Sequence, residues 1–433
     1  MGAIAGVALI ALAAALLGTR GSAAVPAEAW DAPDATATSG AIEFFEQRLA
    51  EDPGNALFMA NLAGRYMQRF QLTADVADVA RAEGLARELI DGDPDPAAAR
   101  ARLASVLLAR HAFADALVQA EEAVAIAPRS AGAWAVLFDA AFASGNYERA
   151  ADALARLEPG SVTRRLKAAF WMQARGRAEA AAGELRTACR RIATWSIPEQ
   201  EAFCWTELGN VELGHGDERG AAALYAQALE RAPGYRAAVE GLADLAYAGG
   251  DLDEAEALYR RIAVDAHPDL YLRLAELRRA SGDSSGATRW EAEFLRVATA
   301  PGAEPLYGRW LALLWAENPA TLDAALAVAR RDVERRPAVE SWDTLAWVLY
   351  LRGQPVEALA ASDRATAWGA PSPTIAYHRG RIFEALGRER EAAKWLGSAT
   401  ARGYPLGSRV VRHTEEGRQR CRSGREARNG RAA

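Results

Sequence analysis

The chain has 433 residues, of which 51% are hydrophobic and 25% charged, and a formal net charge of −6. That length holds two or three ordinary domains or one long repeat array, and the apolar fraction excludes a wholly disordered chain. Three cysteines exclude a disulfide-dense scaffold, and no Cys/His cluster has metal-ligand spacing.

Residues 2–18 run without a charge. This stretch is short for a membrane-spanning helix and slightly long for the apolar core of a signal peptide. Ser22-Ala23-Ala24 meets the small-x-small cleavage rule, while Arg20 follows the apolar run and no basic residue precedes it. Residues 1–24 are expected to be a cleaved signal peptide or, as the second reading, an uncleaved anchor. Either places the remainder outside the cytoplasm, periplasmic or secreted. Residues 25–40 hold two prolines, three acids and no apolar periodicity, and read as a linker.

From residue 41 to 406 one pattern recurs. Its clearest copy is Trp205-x2-Leu208-Gly209, then Ala221-x3-Tyr225-x2-Ala228 and Pro233. Pro94 to Pro128, Gly216 to Gly250 and Gly353 to Gly387 are each 34 residues apart. Related copies carry Trp134, Leu137, Gly145 and Ala150, or Trp342, Leu345, Ala346, Gly353 and Ala358, or Gly380, Phe383, Gly387, Ala392 and Ala399. The pattern resembles the tetratricopeptide repeat, a helix–turn–helix unit, and departs from it at Glu212, where that family usually has an aromatic. The resemblance implies an all-α, right-handed superhelical solenoid of about ten such repeats, stacked because one pair cannot bury its apolar face alone.

Positions are numbered here so that Trp205 is 4 and Pro233 is 32. Small residues at 8 and 20 are expected to face each other at the helix crossing, as Gly209 with Ala221, Ala346 with Ala358 and Gly380 with Ala392. Glycine at 15 ends the first helix in a left-handed turn, and proline at 32 ends the second. Irregular spacings place about seven extra residues near 69–77 and about six near 194–200. The repeat near 306–338 is degenerate, with Trp310 at position 4 or 5. Residues 41–53 look like a lone second helix capping the array.

Gly282-Asp283-Ser284-Ser285-Gly286 fits the nucleophile-elbow pattern, but a helical run precedes it where that elbow needs a strand, so an inter-helix turn is expected. His111, His215, His267, His378 and His413 are scattered, and no H-E-x-x-H occurs. No catalytic residue, metal site or cofactor is expected. Cys189 and Cys204 are brought close by stacking, either as two small buried hydrophobes or, in an oxidising compartment, as a disulfide.

In this family the concave face is lined by positions 2, 5, 9 and 12 of each first helix. Here one zone contains Ala98, Ala101, Ser105, Leu108, Gly132, Ala135, Phe138, Phe142, Thr163, Leu166, Phe170 and Gln173, and is apolar. The other contains Glu240, Asp244, Tyr247, Asp269, Glu276, Arg279, Glu340, Asp343, Trp347, Tyr350, Tyr377, Arg381 and Glu384, with seven acids against two arginines. This second zone reads either as ordinary solvated helix faces with aromatics packed between neighbouring repeats or as a groove for a peptide, with aromatics as anchors and acids selecting a basic segment. Family members that clamp a C-terminal carboxylate use Lys at position 5 and Asn at 9. Asn210 is present, but Thr206 stands at 5 and no groove position holds lysine, which speaks against that mode.

Residues 407–433 carry eight arginines against three glutamates, a charge of +5, and read as a basic disordered tail. The sequence therefore points to a protein–protein interaction scaffold whose partner is a peptide or protein. Nothing points to nucleic acid, and membrane contact is expected only through residues 2–18. The alternative is a membrane-tethered assembly or regulatory factor for an envelope enzyme complex.

Overall fold

The structure, a computed structural model, describes residues 35–401 apart from 74, 93–95, 196, 215, 263–267 and 370–371. The apolar N-terminal stretch and the basic tail lie outside the described residues, as do His215, His267, His413 and Cys421. Among the described residues every regular element is helical and there is no strand. None of these helices is long and apolar enough to cross a membrane.

The first helix, α1 (Ala35–Glu51), is unpaired and takes in residues 35–40 of the stretch read as a linker. Ten helix pairs follow. The first five are α2 (Ala56–Thr73) with α3 (Val76–Gly92), α4 (Pro96–Ala109) with α5 (Phe113–Ile126), α6 (Ala131–Ala143) with α7 (Tyr147–Arg156), α8 (Val162–Ala174) with α9 (Ala178–Ile192), and α10 (Pro198–Gly214) with α11 (Glu218–Arg231). The second five are α12 (Arg236–Gly249) with α13 (Leu252–Arg261), α14 (Asp269–Ala280) with α15 (Ser284–Ala298), α16 (Glu304–Trp315) with α17 (Leu322–Arg335), α18 (Val339–Leu351) with α19 (Pro355–Thr366), and α20 (Pro373–Ala385) with α21 (Glu389–Ala401). Helices pack along their length only on near neighbours in sequence, so the core is a chain of apolar clusters from Ile42 to Ala399. This is a solenoid, in which each repeat is stabilised by the next.

The turns within repeats show why the chain stops and restarts. Gly145, Gly216, Gly250 and Gly282 have φ between 77° and 87°, open to glycine without a Cβ penalty. The following Asn146, Asp217, Asp251 and Asp283 each accept a backbone N–H of the next helix. Asp283 caps α15, so Ser284 is the first residue of a helix and the G-x-S-x-G match is a turn, as expected.

At the crossing, the residue at position 24 lies nearest to the glycine at position 8. A Cβ on Gly209 would lie 2.7 Å from Tyr225 Cε1, and one on Gly380 would lie 2.7 Å from Leu396 Cδ2. Glycine at position 8 therefore makes room for the large residue at 24. The Tyr225 ring is fully buried, is flanked on its other side by Gly241, and donates its hydroxyl proton to Asn210 Oδ1 at 2.8 Å.

The insertions are absorbed by regular structure. Ala63 and Ala82, both buried, fill positions 8 and 20 of the first repeat, and its extra residues lengthen α2 and α3 toward each other. Those near 194–200 form a 3-10 turn, Ala193–Trp195, and the first turn of α10. Beside this insertion Cys189 and Cys204 are joined by a disulfide with Cα atoms 5.4 Å apart. In the degenerate repeat, Leu311 and the fully buried Ala312 and Ala325 match Leu345, Ala346 and Ala358 of the next. Trp310 therefore sits at position 6, not 4 or 5, and Arg309 takes position 5.

The chain also meets itself at long range. A carbonyl accepts only, so His111 Nδ1 donates to Pro305 O, 3.2 Å away and 194 residues on. The Val339 amide donates to Tyr147 Oη at 3.2 Å, a separation of 192 residues. Trp368 packs against Tyr147 and Trp171 with ring centroids 5.1 and 6.2 Å apart. One winding of the superhelix thus lies against the next, with turns of repeats 2–4 meeting the loops that lead into repeats 8–10.

Candidate binding groove

The concave positions of repeats 2–4 form a packed apolar wall. Leu108, Ala135, Leu166 and Phe170 are buried, and Phe138, fully buried, stacks on Phe142 at 5.5 Å. One register step was misread in the sequence: position 9 of repeat 3 is Asp139, next to Phe138. Its carboxylate is buried and receives two hydrogen bonds from the buried Lys167 ammonium, at 2.7 Å to each oxygen. Burial pushes the Asp139 carboxyl up to about 6, opposed by the Lys167 charge.

The second zone divides into two clusters. In the first, on α12 and α14, Arg236 pairs with Glu240 at 3.2 Å. Arg273 reaches Asp244 at 3.6 Å and Glu276 at 3.9 Å, and Tyr259 donates its hydroxyl proton to Asp244. Burial opposes the Arg273 charge, but Asp244, Glu276 and Glu240 outweigh it and hold the guanidinium well above its ordinary pKa. Tyr247 is half-buried beside this ladder, and Arg279 pairs away from it with Glu291 of α15.

In the second cluster, on α18 and α20, Trp347 stacks on His378 at 4.1 Å and on Tyr350 at 5.0 Å. His378 Nδ1 lies 3.0 Å from Asp343 Oδ2, both residues buried. Tyr377 is buried against Trp347, Trp395 and Leu396, so it supports the cluster from beneath. Arg381 pairs with Glu384 at 3.1 Å and donates to Tyr350 Oη at 3.3 Å. Of the eleven residues singled out in the sequence, Asp343 and Tyr377 are buried and the other nine are half-buried.

Between the clusters, Arg309 of α16 donates to Thr344 Oγ1 of α18 at 3.3 Å. Burial lowers its pKa and the nearby Arg336 adds to this, while Glu340 and Asp343 act the other way. Among the described residues no carboxylate forms an ion pair with Arg309, and no group of three His, Cys, Asp or Glu side chains is placed to hold a metal.

Sequence reasoning missed Arg236, Arg273, Arg309, Lys167 and Asp139. The signal for two of them was present: Arg236–Glu240 and Arg273–Glu276 are i,i+4 and i,i+3 neighbours on one helix. With those partners counted, Glu240, Asp244, Glu276 and Glu384 each face an arginine within the zone.

Helix pairs with small or buried crossing residues, joined end to end, define the class: an α-solenoid built from helical hairpins. The family model for the tetratricopeptide repeat matches residues 206–271, spanning parts of repeats 5–7. Residues 206–271 thus match the tetratricopeptide repeat, and the other helix pairs repeat the same arrangement. A search of curated protein sequences gave no match. Among solved structures it is similar to PilF of Pseudomonas aeruginosa, with 18% identity, a TM-score of 0.37, and 48% of this chain covering 95% of that one. It is similar to yeast Tom70, with 12% identity, a TM-score of 0.39, and 89% of this chain covering 93% of that one. It is also similar to the human IFIT1 dimer with PPP-AAAA, with 14% identity, a TM-score of 0.45, and 84% of this chain covering 86% of that one. These are distant likenesses of fold.

Proposed function

We propose that this solenoid is a scaffold that binds an extended peptide or a protein segment on the concave face of repeats 6–10, and that it acts by binding, not catalysis. The observation that carries this reading is the ledge of Trp347, Tyr350 and Arg381, half-buried and already fixed by stacking and hydrogen bonds. Aromatic rings and arginine held in place lose little freedom on binding, which suits them to anchor a partner. Because Glu384 is paired with Arg381 and Asp343 is buried against His378, selection rests on ring stacking and hydrogen bonds more than on net charge. Affinity should therefore depend only weakly on salt.

The protein works outside the cytoplasm, periplasmic or secreted. The Cys189–Cys204 bond supports this, since disulfides persist in oxidising compartments, and so does the apolar stretch 2–18. The rival reading, a membrane-tethered assembly factor for an envelope enzyme complex, shares that stretch. The mass of the mature protein separates the two: loss of residues 1–24 favours the free scaffold, retention the tethered factor.

The test of the groove is a photo-crosslinking residue placed at Tyr350 and, as control, at the exposed Arg330 on α17, both in the native host. A discrete adduct from position 350 alone is expected. Identical adduct patterns from both positions, or none from 350, would remove the groove.

A further inference from the structure

We infer that the seam between windings is a latch: it holds the superhelix compressed and opens as a unit while the helix pairs stay folded. Three contacts form it, each one repeat beyond the last. His111 meets Pro305, the turn of Gly145 and Tyr147 meets Pro337–Val339, and Ala174–Arg175 meet Trp368–Gly369. Turns and the first or last turn of a helix make all of them, whereas each repeat is joined to its neighbour by helix-on-helix packing. In such an array nearest-neighbour packing carries most of the stability, so the seam is the interface that opens first.

The chain is nonetheless shaped to close it. A Cβ on Gly145 would lie 2.5 Å from the Pro337 carbonyl oxygen, and one on Gly369 would overlap the carbonyl oxygen of Ala174. Glycine lets backbone meet backbone at both places. The third contact breaks a local rule. Seven of the turns within repeats hold glycine at positive φ, yet repeat 2 holds His111 at φ 58°, the one non-glycine residue with positive φ among those described. A side chain kept in a strained turn points to a use for it. Here the ring donates to Pro305 and stacks on Phe113 at 5.2 Å, and Phe113 is capped in turn by Arg336 of the other winding.

The full chain with three substitutions tests the latch. His111→Gly removes the ring and gives the turn the residue its backbone favours. Gly369→Ala adds the overlapping Cβ. Gly353→Ala is the control, strained at φ 78° but with nothing within 4 Å of its Cβ. Small-angle scattering reads the radius of gyration, and hydrogen exchange reads the Val339 amide. That amide belongs to the first residue of α18 and has no partner within its helix, so its protection reports the seam. His111→Gly and Gly369→Ala should enlarge the radius and speed exchange at Val339 about tenfold or more, with helical circular dichroism unchanged. The control should match wild type in radius and in exchange at Val339. If Gly369→Ala fails to fold, His111→Gly decides alone. Wild-type radius and wild-type exchange in His111→Gly overturn the latch.

Discussion

In the wall built by α4, α6 and α8, the concave register carries one carboxylate, Asp139, sealed from water and neutralised by Lys167. In the wall built by α12, α14, α18 and α20, charge runs through half-buried pairs, Arg236–Glu240, Arg273–Asp244 and Arg381–Glu384. The first wall uses its ion pair to join two helices and offers little to a ligand. The second leaves its polar groups within reach of water, where a partner can compete for them. Position in the repeat is the same in both walls; burial decides what a charge does.

Lys167→Met gives the largest expected effect, because it strands a buried carboxylate. Loss of one partner of such a pair typically costs about 3–5 kcal/mol, whereas replacing both by apolar residues is near neutral. Urea unfolding of Lys167→Met and of Asp139→Leu/Lys167→Met measures this, and a single variant as stable as wild type would erase the contrast between the walls. Between the walls, the disulfide joins residues 15 apart. Replacing both cysteines by alanine should cost about 3 kcal/mol in the same titration if loop entropy governs. In the second wall Arg273→Met should cost less, about 1–2 kcal/mol, since Asp244 keeps the Tyr259 hydroxyl and water reaches the rest. A loss equal to that of Lys167→Met would mean the walls do not differ.

A separate effect is in pH dependence. Burial pushes the Glu207 carboxyl up to about 8, opposed only by its hydrogen bond with Asn210. The folded chain thus keeps a proton there at pH values where the unfolded chain, with its carboxyl near 4.5, has lost it. That contribution to stability is complete below about pH 4.5 and is lost as pH rises through about 8. Melting temperatures between pH 5 and 8 should fall more steeply for wild type than for Glu207→Gln. Parallel profiles would show that burial does not hold the proton.

The repeat was legible because its physics is local: Gly209, Gly216 and Ala221 mark a crossing and a turn within a few residues of one another. Even there, spacing shows that Gly209 is small and not that the Tyr225 ring lies nearest to it. The surroundings of the proposed groove were half legible. Register placed Trp347 and Tyr350 where the structure leaves them half-buried, but a count over four positions passed over Arg273 at position 6 and did not foresee the burial of Asp343 and Tyr377. The seam was hidden because its contacts join residues some 190 apart, which no local spacing reveals. Its one trace in the sequence is His111, in a place where seven sister turns have glycine.

Repeat arrays ordinarily drift in length, gaining or losing whole units by duplication and deletion, because each unit needs only its neighbour. The contacts between windings withdraw that freedom here. His111 finds Pro305, and Tyr147 finds Val339, only if the stretch between them makes one circuit and no more. A unit lost from that stretch would set Gly145 and Gly369 against strangers. The copy number of the repeat is thereby a dimension of this molecule set by its closure, like the circumference of a barrel.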